Sequence, residues 1–259
     1  MEQNFFLISI LLFFAGLFAG WIDAIAGGGG LITLPVLLHA GIPPAMALGT
    51  NKFQSSFGSL TSSYQFVRAK KINLKEIIPG IVCTALGALA GTTVARTISS
   101  QFLSKIIPLL MLLIVGYMLL APRLWPTGMQ NLSMPKIKSR RPFWLFTIGG
   151  VVLGFYDGFF GPGTGNFWAF SLMAFAGLNL VDATAHTKIF NFTSNIVAFF
   201  LFAMAGKVLY SMGLVMAIGQ IIGSRIGAKM VINRGPKFIR PIFITVVVVL
   251  ALTLAYRNV

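Results

Sequence analysis

Two lysines lie inside apolar stretches of the sequence, where a charged side chain is costly. Lys52 belongs to the segment ALGTNKFQSSFGS, and Lys188 belongs to ATAHTKIFNFTSN, which aligns with the first segment without a gap. A lysine at the centre of a membrane helix costs roughly 2.5–3.5 kcal/mol on insertion scales. Two such lysines are typical of a pathway for anions. The alternative is that each long side chain reaches the membrane surface from near a helix end.

Polar residues accompany each lysine at helical spacing. Serines follow Lys52 and asparagines follow Lys188 at steps of three or four residues, so each set lies along one helix face. Polar faces within membrane spans normally point at a cavity, and we expect these two to line the pathway. His186 aligns with Thr50 and could equally be a buried or interface histidine. The serines are Ser55, Ser56, Ser59, Ser62 and Ser63, and the predicted substrate contacts are Thr50, Asn51, Lys52, Ser55, His186, Lys188, Asn191 and Asn195.

Two glycine clusters interrupt other apolar stretches: residues 27–30 read GGGG and residues 161–165 read GPGTG. Non-helical backbone is tolerated at membrane depth only where it is buried in protein or lines a cavity. A turn there exposes main-chain N–H groups at the start of the next helix, where about half a positive charge attracts anions. The predicted anion contacts are Gly28, Gly29, Gly30, Gly163, Thr164 and Gly165. The alternative is that the glycines only let helices pack closely.

An aspartate precedes each glycine cluster. Asp23 and Asp157 are two of only five acidic residues in the chain. Each could carry a proton, or each could form an ion pair with a lysine or cap a helix. The sequence leaves both roles open.

All of these features occur twice, in the same order. GLFAGWIDAIAG, from residue 16, and GVVLGFYDGFFG, from residue 150, share the pattern G-x3-G-x2-D-x3-G. Further along, Gly87 and Gly91 match Gly219 and Gly223 as pairs that favour close helix packing. We predict two homologous halves, residues 1–121 and 143–259, joined by a basic linker at 122–142. Such internal repeats are common in secondary transporters.

The composition indicates an integral membrane protein. Hydrophobic residues make up 56% of the chain and charged residues only 10%, and the mean hydropathy is +0.86. The N-terminal run has no Lys or Arg before it and is too long for a signal peptide, so we expect it to stay in the mature protein. The predicted apolar spans are 4–26, 44–67, 77–95, 106–121, 143–160, 183–205, 208–224 and 239–256, with two shorter pieces at 31–40 and 166–177.

The net charge of +15 is concentrated in three places, as expected for cytoplasmic connections. If the glycine clusters turn the chain back within the membrane, all three basic clusters lie inside and both termini outside. If each glycine cluster instead lies within one continuous span, the third basic cluster lies on the outer face. We therefore predict an all-α polytopic membrane protein of two inverted repeats with about four transmembrane elements each, every repeat opening with a glycine-broken re-entrant hairpin. The clusters are Arg68, Lys70, Lys71 and Lys75; Arg123, Lys136, Lys138, Arg140 and Arg141; and Arg225, Lys229, Arg234, Lys237 and Arg240.

Other classes of protein find little support in the sequence. Anionic lipid headgroups are the expected partners of the basic clusters, and nucleic acid is not, because no aromatic-rich soluble face accompanies them. The single cysteine, Cys83, excludes an internal disulfide or a cysteine metal site. No nucleophile-elbow, phosphate-loop or H-E-x-x-H motif is present. We predict neither an enzyme nor a cofactor or metal, and the oligomeric state stays open.

The segments GWIDAIAGGGG, ALGTNKFQSS, GFYDGFFGPGTG and AHTKIFNFTSN resemble the sulfite exporter TauE/SafE family, also called the 4-toluene sulfonate uptake permeases. The resemblance covers essentially the whole chain in order. It implies transport of sulfite, sulfonates or related organosulfur compounds across a prokaryotic inner (plasma) membrane. We therefore expect a secondary transporter of a small sulfur-containing anion working by alternating access. The alternatives are an anion channel and a transporter of a neutral organosulfur compound.

Overall fold

The computed structural model describes residues 2–124 and 140–234, and the regular elements within them are nine α-helices. Their positions agree with the apolar pattern of the sequence, with one end shifted by ten residues at α9 and the others by at most six. The last predicted span, 239–256, and most of the linker at 122–142 lie outside the described residues. The helices are α1 (Glu2–Ala26), α2 (Gly30–His39), α3 (Pro44–Arg68), α4 (Leu74–Thr97), α5 (Ser100–Leu124), α6 (Arg140–Phe159), α7 (Thr164–Ala176), α8 (Leu180–Met204) and α9 (Tyr210–Arg234).

Four helices in the described part of the chain are long and apolar enough to cross a membrane. They are Leu7–Ala26, Leu74–Thr97, Leu180–Met204 and Tyr210–Arg234. Helix α3 has 25 residues, enough to cross roughly 30 Å of hydrocarbon. Helix α3 is not among those four, however, because buried serines, Lys52 and Asn51 make its mean hydropathy lower than theirs. The prediction of a span at 44–67 therefore gave the right helix but overstated its apolar character.

Local sequence signals start the helices at these positions. Pro44 stands at the first position of α3, where its missing N–H and fixed φ are tolerated. The side chain of Asn73 accepts a hydrogen bond from the N–H of Lys75 at the start of α4. Asn179 does the same for Asp182 at the start of α8. These caps hold the connections between long helices to a few residues.

Each of the two short helices contacts the helix that precedes it. The turn before α2 packs against α1, since a Cβ atom added to Gly29 would lie 2.8 Å from the main-chain oxygen of Ala19. Helix α7 returns along α6, because the ring of Trp168 lies against Gly149. Both turns need a backbone that glycine adopts most readily, with φ of 107° at Gly28 and 100° at Gly161. The glycine clusters are therefore sharp turns between two packed helices.

Helices from opposite halves of the sequence pack most closely. Helix α1 packs against α9, and α4 packs against α6. A Cβ atom on Gly223 would lie 2.0 Å from the oxygen of Leu17, and one on Gly91 would lie 2.0 Å from the oxygen of Phe155. Glycine is required here for close approach of two backbones. The close-packing role predicted for the pairs Gly87/Gly91 and Gly219/Gly223 is confirmed.

The third basic cluster differs from the prediction. Arg225 and Lys229 do not lie in a connection, because α9 continues ten residues past the predicted end at 224, to Arg234. Both side chains are exposed. A helix of 25 residues is about 37 Å long, longer than a hydrocarbon core of roughly 30 Å. Its basic last turns therefore have room to extend into the headgroup region.

Candidate functional site

The two glycine turns contact each other. A Cβ atom added to Gly27 would lie 2.9 Å from the Cα atom of Gly165. The side chain of Asn166 donates a hydrogen bond across the contact to the main-chain oxygen of Gly27, at 3.4 Å. Asn166 was not among the predicted site residues, although its polar side chain directly after the GPGTG cluster was a signal in the sequence. The contact joins the turn after α1 to the turn after α6.

Two ion pairs flank this contact, and each joins the two halves of the sequence. Nζ of Lys52 lies 2.6 Å from Oδ1 of Asp157, and Nζ of Lys188 lies 3.1 Å from Oδ2 of Asp23. The side chains of Lys52 and Lys188 are 1% and 0% exposed. Neither lysine therefore reaches the membrane surface, and the alternative of surface-seeking lysines is wrong.

Asp157 is held on both of its carboxylate oxygens. Lys52 bonds to Oδ1, and the hydroxyl of Ser194 donates to Oδ2. Lys52 also donates to Oδ1 of Asn195, at 3.1 Å. Asn195 was among the predicted site residues, but Ser194 was not. Ser194 aligns with Gly58 and so has no polar counterpart in the first half of the sequence. These bonds fix the carboxylate, whose side chain is only 5% exposed.

Asp23 is held differently, by main-chain groups of the first glycine turn. Its Oδ1 accepts from the N–H groups of Gly28 and Gly29, at 3.2 and 3.4 Å. Lys188 donates to Oδ2 and also to the main-chain oxygen of Asp23. The side chain of Asp23 is 20% exposed. The N–H groups of Gly28 and Gly29, which were predicted to contact a bound anion, are thus bonded to a carboxylate of the protein itself.

A polar cavity lies where the turns and ion pairs meet. Its volume is about 30 Å³, which holds about two water molecules. The amide oxygen of Asn191 is buried at its wall without a hydrogen-bond partner in the described part of the chain. Both halves contribute to the lining, which consists of Asp23, Gly28, Gly30, Asn51, Lys52, Ser55, Asp157, Gly161, Gly163, Gly165, Asn191 and Asn195.

Three predicted side chains bond to main-chain groups near helix ends instead of lining this cavity. The hydroxyl of Thr50 accepts from the N–H of Leu209, at 2.9 Å. Thr164 donates to the main-chain oxygen of Gly161, at 2.6 Å. Nδ1 of His186 lies 2.7 Å from the main-chain oxygen of Asp182. Lys188 and Gly29 do not line the cavity either, but both bond to Asp23, which does.

His186 has the structural role that the sequence left open. Its side chain is buried and its ring stacks on Phe146 with centroids 6.3 Å apart. Packing against an aromatic ring and a main-chain bond therefore account for this histidine. The predicted substrate contact at this position is not supported by the geometry.

The serine face of α3 lines the cavity only at Ser55. Ser56, Ser59 and Ser62 are buried and donate to carbonyl oxygens of their own helix, at 2.7 to 2.9 Å. Such bonds satisfy a hydroxyl inside a helix bundle without water. The expectation that the whole face lines a pathway is therefore wrong in this arrangement.

Asn51 reaches the cavity as part of a hydrogen-bonded group. Its Oδ1 accepts from the hydroxyl of Thr33, at 2.5 Å, and from the amide of Gln54, at 2.9 Å. Thr33 and Gln54 were not among the predicted site residues. The available signals were that Thr33 is a polar residue in an apolar helix and that Gln54 lies two residues after Lys52. The group ties α2 to α3 beside the cavity.

The groups around the cavity are suited to binding a small polar molecule. Among residues 2–124 and 140–234, no cluster of three or more His, Cys, Asp and Glu side chains could hold a metal ion. The cavity offers ammonium, carboxylate, amide and main-chain groups, which recognise a small polar molecule by charge and hydrogen bonds.

Helices long and apolar enough to span a bilayer, around a buried charged centre, define an all-helical membrane protein. The chain belongs to the sulfite exporter TauE/SafE family, whose sequence profile matches residues 12–254.

Its relatives are membrane transporters by name. "Probable membrane transporter protein YfcA" of Escherichia coli K12 is 40% identical over 260 residues, covering 99% of this chain and 94% of that protein. A "Probable membrane transporter protein" of Haemophilus influenzae is 43% identical over 235 residues, covering 90% and 89%. One of Sinorhizobium sp., named ORF9, is 40% identical and covers 98% and 95%. No solved structure matches the chain.

Proposed function

We propose that this protein is a secondary transporter that binds a small sulfur-containing anion, such as sulfite or a sulfonate, between its two glycine turns. The observation that carries the proposal is the buried cavity whose walls come from both halves of the chain. Lys52 supplies positive charge, and Asn191 and Asn195 supply amide groups. The family name supports a sulfur oxyanion as the substrate.

Alternating access is the mechanism that the geometry supports. A cavity of about 30 Å³ is too small for an organic sulfonate, so a substrate of that size requires the two turns to move apart. The first turn follows α1, which packs against α9, and the second turn follows α6, which packs against α4. Motion of the α1–α9 pair against the α4–α6 pair would open the cavity toward one side of the membrane. We propose residues 1–121 and 143–259 as two inverted repeats with re-entrant hairpins, each of which contributes helices to both moving groups. The reciprocal pairs Lys52–Asp157 and Lys188–Asp23 support this relation.

The orientation in the membrane follows from the basic clusters. We place them on the cytoplasmic face of the inner membrane and both termini on the outer face. The exposed positions of Arg225 and Lys229 near the end of α9 support contact with anionic lipid headgroups.

A neutral organosulfur compound is the second candidate substrate. The observation that favours it is charge balance, since two lysines and two aspartates at the centre cancel each other. A bound neutral molecule would leave that balance undisturbed.

Flux into proteoliposomes tests the proposal. The panel contains sulfite, thiosulfate, taurine, sulfoacetate, methanesulfonate and a neutral sulfoxide. We expect saturable uptake and counterflow for at least one anion, reduced by Asn195→Leu. Thr193→Val is the matched control, since its buried hydroxyl bonds within α8 to the oxygen of Ile189. Flux that does not saturate and shows no counterflow would indicate a channel. Uptake of the neutral compound alone would show that the substrate is neutral and not an anion. Absence of flux for the whole panel would reject the proposal.

A further inference from the structure

The charged groups at the centre of the protein cancel. Lys52 pairs with Asp157 and Lys188 pairs with Asp23. Among the described residues, the charged side chains that line the cavity are Asp23, Lys52 and Asp157, and Lys188 lies behind Asp23. A monovalent anion that enters would leave one uncompensated negative charge in a buried site. Such a charge is costly unless it is paired or neutralised. A positive charge that arrives with the anion would offset that cost.

Asp23 is the carboxylate that can accept that charge as a proton. Its side chain is 20% exposed, against 5% for Asp157. Its bonds to Gly28, Gly29 and Lys188 measure 3.2, 3.4 and 3.1 Å, whereas Asp157 is held by Lys52 at 2.6 Å and by a hydroxyl.

Lys188 would keep a partner if Asp23 became neutral. Its ammonium group also donates to the main-chain oxygen of Asp23, and protonation of the carboxyl group leaves that bond in place. Within residues 2–124 and 140–234, Lys52 makes no such main-chain bond to Asp157, and it also donates to Oδ1 of Asn195. Protonation at Asp23 therefore disturbs the ion-pair network less than protonation at Asp157.

The charged groups around Asp23 are few. Lys188 faces it from α8, and Lys52 and Asp157 share its cavity from α3 and α6. Helix α7 has no charged residue, and the one titratable residue of α2, His39, is exposed at the far end of that helix. On α9, Arg225 and Lys229 are exposed.

We infer that Asp23 takes up a proton when the anion binds, and that the protein carries one proton with each monovalent anion in the same direction. The inference rests on the proposed function. Ionised Asp23 occupies the N–H groups of Gly28 and Gly29 and so competes with the anion for them. Protonated Asp23 releases these donors to the anion's oxygens. The proton comes from the aqueous compartment that supplies the anion and leaves with it on the other side, so charge balances and nothing else is consumed.

Proton uptake on binding tests the inference. Purified protein in weakly buffered detergent solution is titrated with methanesulfonate, or with the sulfonate of the flux panel that binds best, while a pH dye reports protons. A sulfonate stays fully ionised near neutral pH, so any uptake belongs to the protein. The wild type should take up about one proton per anion bound, and its affinity should fall about tenfold per pH unit where Asp23 is ionised.

Variants separate the possible outcomes. Asp23→Asn should bind the sulfonate without proton uptake and with an affinity independent of pH. Asp23→Glu should restore uptake. Glu76→Gln removes an exposed carboxylate that does not line the cavity and should behave as wild type. Binding by the wild type without proton uptake, or uptake that persists in Asp23→Asn, would overturn the inference and leave the proposed function standing. Absence of binding by any anion of the panel would reject the proposed function itself.

Discussion

Nζ of Lys52 lies 2.6 Å from Oδ1 of Asp157, and this buried bond joins helix α3 in the first half of the chain to helix α6 in the second. Lys188 and Asp23 form the matching bond in the opposite sense, from α8 to α1. Buried ion pairs contribute little net stability, because desolvation offsets attraction. Their effect is to penalise arrangements in which either charge is unpaired, so both pairs fix how the two halves meet.

Removal of the positive charge at Lys52 should be strongly destabilising. Lys52→Met leaves Asp157 buried without its cation, and loss of one partner of a buried pair typically costs about 3–5 kcal/mol. Unfolding of the purified protein in detergent, followed by intrinsic fluorescence against temperature or denaturant, measures the change. The double variant Lys52→Met/Asp157→Leu should recover most of the stability. A single variant as stable as the wild type would contradict the ion pair.

The two aspartates should differ in their importance for folding. Asp157→Asn disrupts bonds to Lys52 and Ser194 in a site that is 5% exposed, so we expect a loss of about 3–5 kcal/mol. Asp23→Asn should cost only about 1–2 kcal/mol, because its side chain is more exposed and Lys188 keeps its main-chain partner. The same unfolding measurement compares them, and equal losses would contradict the asymmetry.

Local patterns were enough to predict the helices and the turns between them. The short piece expected at 31–40 is found at Gly30–His39, and the one at 166–177 is found at Thr164–Ala176. Apolar runs and glycine clusters act within a few residues, so one sequence suffices to place them. The repeated lysine and aspartate positions likewise predicted the four residues that form the two ion pairs beside the cavity.

Partners distant in the sequence could not be predicted in the same way. The sequence left ion pairing and proton carriage open for Asp23 and Asp157, since only packing brings Lys188 and Lys52 to them. Asn166 was missed because its bond to Gly27 depends on contact between two turns. The serines of α3 were misjudged because hydroxyls that bond to their own helix look identical in sequence to hydroxyls facing water.

Asn191 should contribute to anion binding and not to folding. Its buried amide oxygen lacks a partner at the cavity wall. Asn191→Leu should therefore weaken anion binding about tenfold, or ~1.4 kcal/mol, with the free energy of unfolding unchanged or slightly raised. Thermal shift with the anion of the flux panel reports affinity and stability together. Ser63→Ala on α3 is the matched control, because the buried hydroxyl of Ser63 has no hydrogen-bond partner among the described residues and does not line the cavity. Unaltered binding by Asn191→Leu would exclude Asn191 from the site.

Gly165→Ala should force the two glycine turns apart. The added Cβ would lie 2.9 Å from the Cα atom of Gly27 and 3.1 Å from the amide nitrogen of Asn191, closer than ordinary van der Waals contact. We expect a loss of about 1–3 kcal/mol in stability and more than about tenfold weaker anion binding. Gly116→Ala is the matched control within helix α5, since no atom of the described residues lies within 4 Å of its added Cβ, and helix propensity predicts a slight gain in stability. Thermal unfolding with and without the anion measures both variants. If Gly165→Ala binds and unfolds like Gly116→Ala, the turns do not need their close contact.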